Sequence, residues 1–185
     1  MYKAIEFKLQ QNISPKRFAH SKRVAETAEH LAAKCGADPN KAYLSGLLHD
    51  CARDLSEKEL TEHVAKNKLK VKKYELQYPV LLHGEVGADL AQQVYEIEDE
   101  EIQNAIRQHT AGGRDLAPLS KVLYVADFIE PGRSGDIVKV ISAIAEKNLE
   151  RAVLQKAQFM LEFSKRVREK LHPDVLATLE FYKNA

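Results

Sequence analysis

The adjacent residues His49 and Asp50 are the feature of this sequence whose types and spacing most clearly suggest chemistry. An imidazole and a carboxylate on consecutive residues can both reach one divalent cation, and the guanidinium of Arg53 can then meet an anion that the cation holds. Other histidines and aspartates lie on or beside the apolar faces of predicted helices. Together these residues make six candidate metal ligands: His20, His49, Asp50, His83, His109 and Asp127.

The six candidates predict a buried site with two metals. Burying an unpaired carboxylate is costly unless it is protonated, ion-paired or bound to a cation. No lysine or arginine lies on the apolar stripe of Asp50 or Asp127, so metal ligation is the simplest interpretation. Six protein ligands are too many for one open catalytic ion but suit two ions, with Asp50 as the natural bridge. Imidazole and carboxylate ligands without thiolates favour iron, manganese or cobalt, and indicate zinc less distinctively.

Three further histidines serve as a contrast, because a single histidine near an apolar face is more often structural than a ligand. His30 lies about 100° of rotation off the apolar stripe of its helix. His63 lies among charged residues, and His172 precedes a proline. We expect all three to have structural roles.

The length and composition of the chain limit the classes of protein to which it can belong. With 185 residues the chain fits one domain, and a net charge of +1 with 30% charged residues excludes a strongly basic nucleic-acid binder. No apolar run approaches the roughly 20 residues that a membrane span needs, and the N-terminus lacks a signal-peptide core. Two cysteines, Cys35 and Cys51, are too few for a disulfide framework or a cysteine-based zinc site. A cytoplasmic protein with reduced thiols is expected.

The elements that must position the candidate ligands all read as helices. Ser14-Pro15 and Asp38-Pro39 are helix starts, Gly36 is a stop, and Ser56 with Glu59 is a capping box. Later helices are predicted by the following signals: a start after Tyr78-Pro79, a cap at Asp99, a cap at Ser120, periodic stripes over about 136–147 and 149–170, and a start after His172-Pro173. Without a convincing strand or linker, the sequence predicts an all-α protein of one domain.

Several blocks of the sequence resemble a known family. The pattern His20, His49-Asp50 and Asp127 is similar to the H…HD…D signature of the HD-domain metal-dependent phosphohydrolases, and the additional His83 and His109 resemble its dinuclear branch. A closer resemblance is to the bacterial YqeK family of symmetrical bis(5′-nucleosyl)-tetraphosphatases. It rests on five blocks: HSKRV at 20–24, GLLHDCARDL at 46–55, LLHGEVGA at 81–88, IRQHTAG at 106–112 and ADFIEPGR at 126–133. The similarity covers about residues 14–170 of a single domain, 1–185.

The resemblance implies a helical HD-type bundle that hydrolyses diadenosine tetraphosphate (Ap4A) and related dinucleoside polyphosphates symmetrically, giving two ADP from Ap4A. A metal-bridged hydroxide would attack the phosphate chain. The first metal would be held by His20, His49, Asp50 and Asp127. Asp50 would be shared with the second metal, which His83 and His109 complete. The implied cofactors are two divalent ions, iron first, with manganese or cobalt as substitutes. The implied partner is a small nucleotide rather than a nucleic-acid polymer or a membrane, and a homodimer is compatible with the apolar stripes of the last helices.

Four residues are candidates for contacting the substrate. Phosphoryl transfer requires positive charge around the phosphoryl oxygens, so Arg53 is expected to be catalytic together with Asp50. Position 53 is arginine where many HD proteins have lysine, which keeps the charge and changes its geometry. The substrate-binding candidates are Arg53, Arg133, Arg23 and Thr110.

Two questions stay open at the level of sequence. Tyr78, Tyr124 and Phe128 can in principle stack on adenine, although aromatic residues at helical spacing are more often core. The same six ligands would also serve another HD reaction, such as a nucleotidase or a nucleotide phosphodiesterase. Two alternatives from other classes are a metal-dependent nucleotide-binding module without turnover and a structural helical domain with core histidines.

Overall fold

The computed structural model describes residues 2–168 and 170–183, and within these ranges the chain forms helices and no strand. The helices, in chain order, are α1 Tyr2–Asn12, α2 Pro15–Cys35, α3 Pro39–Leu48, α4 Glu57–Asn67, α5 Lys73–Gln77, a 3-10 turn Pro79–Leu82, α6 His83–Gln93, α7 Glu100–Gln108, α8 Pro118–Ile129, α9 Asp136–Ala145, α10 Leu149–Val167 and α11 Pro173–Tyr182. The all-α prediction is confirmed.

The predicted helix caps are present in the structure. Ser14 Oγ accepts a hydrogen bond from the backbone N–H of Arg17, and Gly36 ends α2 with φ of 76°. Asp38 caps α3, and the Ser56–Glu59 capping box opens α4. These signals were readable because a cap depends only on residues within one turn of the helix end.

Some predicted boundaries were wrong. Helix α8 begins at Pro118, and Ser120 is buried within its first turn instead of capping it. Proline at the first helical position was the stronger start signal there. The last long helices end at Ala145 and Val167, earlier than their apolar stripes suggest. Helices α1 and α5 had not been predicted.

The core forms where α2 packs on α3 and α8, and where α7 packs on α3, α6 and α8. At the α2–α3 crossing, a Cβ added to Gly46 would lie 2.6 Å from Ala25 Cα, so the two backbones are in direct contact there. Leu47, Leu48 and Tyr124 are fully buried around this crossing and α8. The close approach brings the N-terminal half of α2 to the C-terminal end of α3, which is where the candidate ligands meet.

None of the helices in the described part of the chain has the length and apolar character needed to cross a lipid bilayer.

Candidate dinuclear metal centre

The candidate ligands meet at one place in two groups of three. His20, His49 and Asp50 form the first group, and Asp50, His83 and His109 form the second; within each group the potential ligand atoms lie within 4.8 Å of one another. All five residues are buried. His20 lies on α2 and His83 opens α6, whereas His49, Asp50 and His109 lie just past the C-terminal ends of α3 and α7. These three candidates therefore lie at helix ends, where His49 and His109 are the C-cap residues of α3 and α7.

Asp50 lies between the two groups with one carboxylate oxygen towards each. Its Oδ2 is 3.9 Å from His20 Nε2 and 3.6 Å from His49 Nε2. Its Oδ1 is 3.6 Å from Nε2 of both His83 and His109. A carboxylate divided in this way has the geometry of a bridging ligand between two cations.

Asp127, from α8, joins the first group. Its Oδ1 lies 3.2 Å from His20 Nε2 and 3.7 Å from His49 Nε2. Burial acts to raise the pKa of Asp127, but its contact with His20 and the nearby His49 and Lys156 outweigh burial and hold the pKa well below its usual value. The carboxylate is therefore ionised and available to a cation.

Each ligand histidine is held through its Nδ1 atom, which leaves Nε2 facing the centre. Nδ1 of His49, His83 and His109 lies 2.6–2.7 Å from the backbone carbonyl oxygen three residues earlier. Those carbonyls can only accept, so Nδ1 donates and Nε2 carries the free lone pair. His20 Nδ1 instead pairs with Glu130 Oε1 at 3.2 Å. Holding one ring nitrogen so that the other can bind is the usual arrangement of metal-binding histidines.

The buried nitrogens of the first group fit a metal ion. Nε2 of His20 and of His49 is buried without a hydrogen-bond partner among the described residues. His20 Nε2 lies 3.2 Å from Asp127 Oδ1, the carboxylate that joins the first group. Buried polar atoms are normally satisfied, and atoms that point to one shared place instead of at each other are what a cation requires. The donor set of imidazole nitrogens and carboxylate oxygens suits a first-row divalent metal.

The charge states of His49, His83 and Asp50 suit metal binding. Burial lowers the pKa of His49 to about 4 and that of His83 to about 3. Burial acts to raise the pKa of Asp50, yet its interactions with His49, His109 and His83 outweigh burial and lower that pKa far below the usual value. Neutral imidazoles and an ionised carboxylate are the forms in which these side chains bind cations.

Arg17 is the nearest cation to the centre, and sequence reasoning missed it. Its Nη1 donates to Asp50 Oδ2 at 2.5 Å, and its Nε contacts Asp54 Oδ1 at 3.5 Å. Asp54 also accepts from the backbone N–H of Ser14 and so ties Arg17 to the start of α2. The apolar stripe of Asp50 itself offers no cationic partner, and the structure supplies one from a different helix.

Glu130 organises the side of the centre that carries His20. Besides contacting His20, its carboxylate accepts hydrogen bonds from Arg23 Nε and from the backbone N–H of Gly132, each at 2.5 Å. Glu130 is 2% exposed, so its carboxylate is stabilised by these three partners. Glu130 directly follows α8 in the block ADFIEPGR. In the sequence, its place in that block is the feature that could have pointed to its contact with His20.

Lys156, on α10, is a second buried group that the sequence did not reveal. Its Nζ donates to the backbone oxygens of Tyr124 at 2.6 Å and His109 at 3.3 Å, and it lies 3.6 Å from the centroid of the Tyr124 ring. Burial lowers the pKa of Lys156 to about 8. The side chain links α10 to the ligand-bearing ends of α7 and α8.

The four candidate substrate contacts occupy different positions. Arg133 Nη2 donates to Asp127 Oδ1 at 3.0 Å, and Arg23 pairs with Glu130. Thr110 Oγ1 lies 3.3 Å from His83 Nε2 and 3.1 Å from His109 Nε2. The Arg53 guanidinium has no hydrogen-bond or ion-pair partner among the described residues, although its charge adds to the burial that lowers the pKa of His83.

A basic cleft of about 430 Å³ opens on the His20 side of the centre. The residues that line it are Ser14, Lys16, Arg17, His20, Arg23, Asp54, Glu130, Gly132 and Arg133. Four of these carry a positive charge and two, Asp54 and Glu130, a negative one, so the excess of positive charge suits a polyanion next to the candidate metal ligands.

The three contrasting histidines lie outside the two ligand groups and contact other residues. His30 pairs with Glu146 at 3.0 Å on the surface, and His63 pairs with Asp89 at 2.6 Å. His172 caps α11 by accepting from the backbone N–H of Asp174. Two of the three aromatic residues considered for base stacking pack inside the protein instead. Tyr124 is fully buried, and the centroid of the Phe128 ring lies 5.3 Å from that of Phe159.

Comparison with known proteins gives consistent matches. The HD domain family model matches residues 17–132. A protein of Bacillus subtilis named symmetrical bis(5′-nucleosyl)-tetraphosphatase is 34% identical, over 92% of this chain and 91% of the relative. One of the same name from Halalkalibacterium halodurans is 32% identical, over 90% and 89%. A crystal structure from Clostridium acetobutylicum, described as a predicted HD superfamily hydrolase involved in NAD metabolism, has a TM-score of 0.95 and 32% identity, with 100% of this chain and 97% of that chain covered.

Proposed function

Since this chain belongs to the HD domain family, we propose that it hydrolyses Ap4A and related dinucleoside tetraphosphates symmetrically, releasing two ADP from Ap4A. The observation that carries the proposal is the pair of three-ligand groups that share Asp50. The names of the relatives from B. subtilis and H. halodurans support the choice of substrate.

The six ligands would hold two divalent ions. His20, His49, Asp50 and Asp127 would bind the first ion, and Asp50, His83 and His109 the second. Bound ions of this kind polarise a phosphoryl oxygen and lower the pKa of water from 15.7 towards neutrality. Iron is our proposal for the native metal, because a mixed set of histidines and carboxylates without thiolates suits it, and manganese or cobalt would be substitutes.

The residues around the ligands would position the phosphate chain. Arg17, Arg23 and Arg133 line the basic cleft and would neutralise the phosphoryl oxygens, which is the main requirement of phosphoryl transfer. Arg53 has no acidic partner among the described residues and would be free to turn towards an anion near His83. Thr110 Oγ1, beside His83 and His109, can donate to a substrate oxygen.

Symmetrical cleavage takes place at the middle of the phosphate chain. The anhydride P–O bond between the second and third phosphates breaks, the oxygen of water joins one of the two phosphorus atoms, and a proton is released. Each product is ADP, whose leaving oxygen is neutralised by the cationic side chains of the basic cleft. No strong general acid is needed for such a leaving group, which agrees with the low pKa values of His49 and His83.

The test is anaerobic incubation of the purified protein with Ap4A, with nucleotides resolved by chromatography and metal counted on the same sample. ADP as sole product with about two metals per chain is the expected result. AMP with ATP would contradict the symmetrical cut. Full metal occupancy without any product would discard this substrate and favour a nucleotidase or phosphodiesterase reaction of the HD type. His49→Ala is the inactive control, and His30→Ala the matched active one.

Two further properties stay predictions within this proposal. A cytoplasmic location follows from the small nucleotide substrate and the reduced thiols. Assembly as a homodimer is tested by the mass in sedimentation equilibrium, where twice the chain mass of 20.9 kDa is the expected result.

A further inference from the structure

A second cleft, of about 640 Å³, includes Thr110 and so borders the His83–His109 group, whereas the basic cleft borders His20. It lies between the 3-10 turn, the loop after α7, the C-terminal half of α10 and the segment that leads to α11. We call it the aromatic cleft, after three of the residues that line it: Tyr74, Tyr78 and Phe163. We propose that it binds the nucleobase of one half of the dinucleotide substrate, an inference that rests on the proposed function.

The aromatic cleft borders the centre at Thr110. This residue lines the cleft, and its Oγ1 is within 3.3 Å of Nε2 of both His83 and His109. A substrate whose phosphate chain lies across the two ligand groups would therefore leave the centre past Thr110 on this side. At His20 it would meet the basic cleft.

The walls of the aromatic cleft suit a flat, stacking ligand. Tyr78 and Phe163 are 37% and 39% exposed, so part of each ring is accessible to a ligand, and the Arg166 guanidinium lies 5.4 Å from the centroid of the Phe163 ring. The Tyr74 ring supports Tyr78 at a centroid distance of 4.8 Å and is itself packed on His172 at 4.9 Å. Because these rings are already in place, a base would stack on them at a small entropic cost. The volume lies within the usual range of small-molecule sites.

Charge distinguishes this cleft from the smaller polar pocket that also borders Thr110. The polar pocket is lined by three carboxylates, those of Glu75, Glu85 and Asp174, and by three cations, Lys72, Arg107 and Arg114, so its lining has no excess of positive charge. The aromatic cleft is lined instead by Arg168 and Lys170. Their cationic groups suit a ligand that is apolar at its base and anionic at its phosphates.

The absence of tryptophan from the sequence allows a direct binding test. Phe163→Trp would place a single tryptophan in the cleft, and Phe7→Trp, at a residue 68% exposed on α1, is the matched control. Addition of ADP should change the fluorescence of the Phe163→Trp protein in a saturable manner. The Phe7→Trp protein should not respond, and pyrophosphate, which lacks a base, should leave both unchanged.

A kinetic test uses the same cleft. Phe163→Ala should raise the KM for Ap4A about tenfold, the size expected for loss of one base–aromatic stack, while kcat stays within twofold and the metal content is unchanged. Tyr78→Ala should act in the same direction, and Phe7→Ala should change neither constant. A raised KM with an unchanged kcat indicates that binding is lost equally in the ground state and the transition state.

The results separate this proposal from the proposed reaction. Cleavage of Ap4A to ADP, with no response of Phe163→Trp to ADP and no change of KM in Phe163→Ala, would overturn the cleft assignment and leave the reaction standing. A saturable response to ADP without cleavage of Ap4A would support the cleft and overturn the reaction. Fluorescence of Phe163→Trp that depends on protein concentration and not on nucleotide would assign the cleft to a second copy of the chain, and would also overturn the proposal.

Discussion

Arg17 and Asp50 form an ion pair at the centre of the candidate site, with Arg17 Nη1 2.5 Å from Asp50 Oδ2. The Asp50 side chain is 7% exposed and that of Arg17 is 28% exposed, so the arginine closes the centre towards the basic cleft. It contacts the oxygen that faces the first ligand group. An arginine placed there can exchange a protein carboxylate for a phosphate, since both present two anionic oxygens that a guanidinium can bind.

Arg17→Met should therefore lower kcat/KM for Ap4A by about 10- to 100-fold, the value of one charge-assisted hydrogen bond to the substrate. Metal content should stay at about two per chain, because no ligand is removed. Both kcat/KM and the metal content are measured on the same preparation. Lys22→Met is the control on the same helix, as Lys22 pairs with Glu6 and Tyr43. Unchanged kinetics in Arg17→Met would remove Arg17 from the mechanism.

Glu130→Gln should weaken binding of one metal by about 10- to 100-fold, as is typical when the partner of a ligand histidine is altered. The substitution keeps the shape of the side chain but removes the charge that holds His20 Nδ1 and Arg23. Competition with a chelator of known affinity measures the effect. Glu146→Gln, at a surface pair with His30, should bind both metals as the unaltered protein does. Equal affinities in the two variants would show that Glu130 does not support the centre.

The sequence predicted the ligands better than their supports, for a physical reason. Caps such as Ser14 and stripes such as that of α2 are local, so they can be read from residues one turn apart. Arg17 and Asp50 are separated by 33 positions, and His20 and Glu130 by 110. These pairs depend on how α2 crosses α3 and α8, which no local pattern encodes.

The position of the ligands relative to helix ends illustrates the same limit. The stripes of α3 and α7 run on into His49 and His109, yet both helices end one residue earlier. Because Nδ1 of each histidine is paired with the carbonyl three residues back, the last turn itself fixes the imidazole. The set of candidate ligands that cluster was therefore readable from the sequence, whereas their placement at helix ends required the structure.

His83→Gln should reduce the metal content from about two ions per chain to about one. His83 belongs to the second group only, so the first group keeps its ligands. Metal analysis after dialysis gives the count, and circular dichroism checks that the helices remain. His63→Gln, which removes a histidine paired with Asp89 outside the centre, should retain two ions. Loss of both metals in His83→Gln would contradict the division into two groups.

Gly46→Ala should destabilise the protein by at least about 1 kcal/mol, although alanine is favoured over glycine within a helix by a similar amount. The added Cβ would lie 2.6 Å from Ala25 Cα and 2.8 Å from Ala25 N, and backbone atoms cannot move aside as a flexible side chain can. Overpacking of this kind typically costs about 1–3 kcal/mol. Urea denaturation measures the change. Gly113→Ala, whose nearest neighbours are side-chain atoms at 3.5 Å, should be much milder, and an equal loss would argue against a special contact at Gly46.

The two cysteines should differ in their reactivity with a thiol reagent. Cys35 is exposed and Cys51 is buried beside the metal ligands, where its Sγ donates to Gly87 O at 3.4 Å. Burial also raises the pKa of the Cys51 thiol to about 12, so the reactive thiolate is scarce at neutral pH. The native protein should therefore titrate with one thiol, Cys35→Ser with none, and both proteins should gain one further thiol in denaturant. Rapid reaction of native Cys35→Ser would mean that the segment carrying His49 and Asp50 opens readily, which is incompatible with a centre held in place before metal binds.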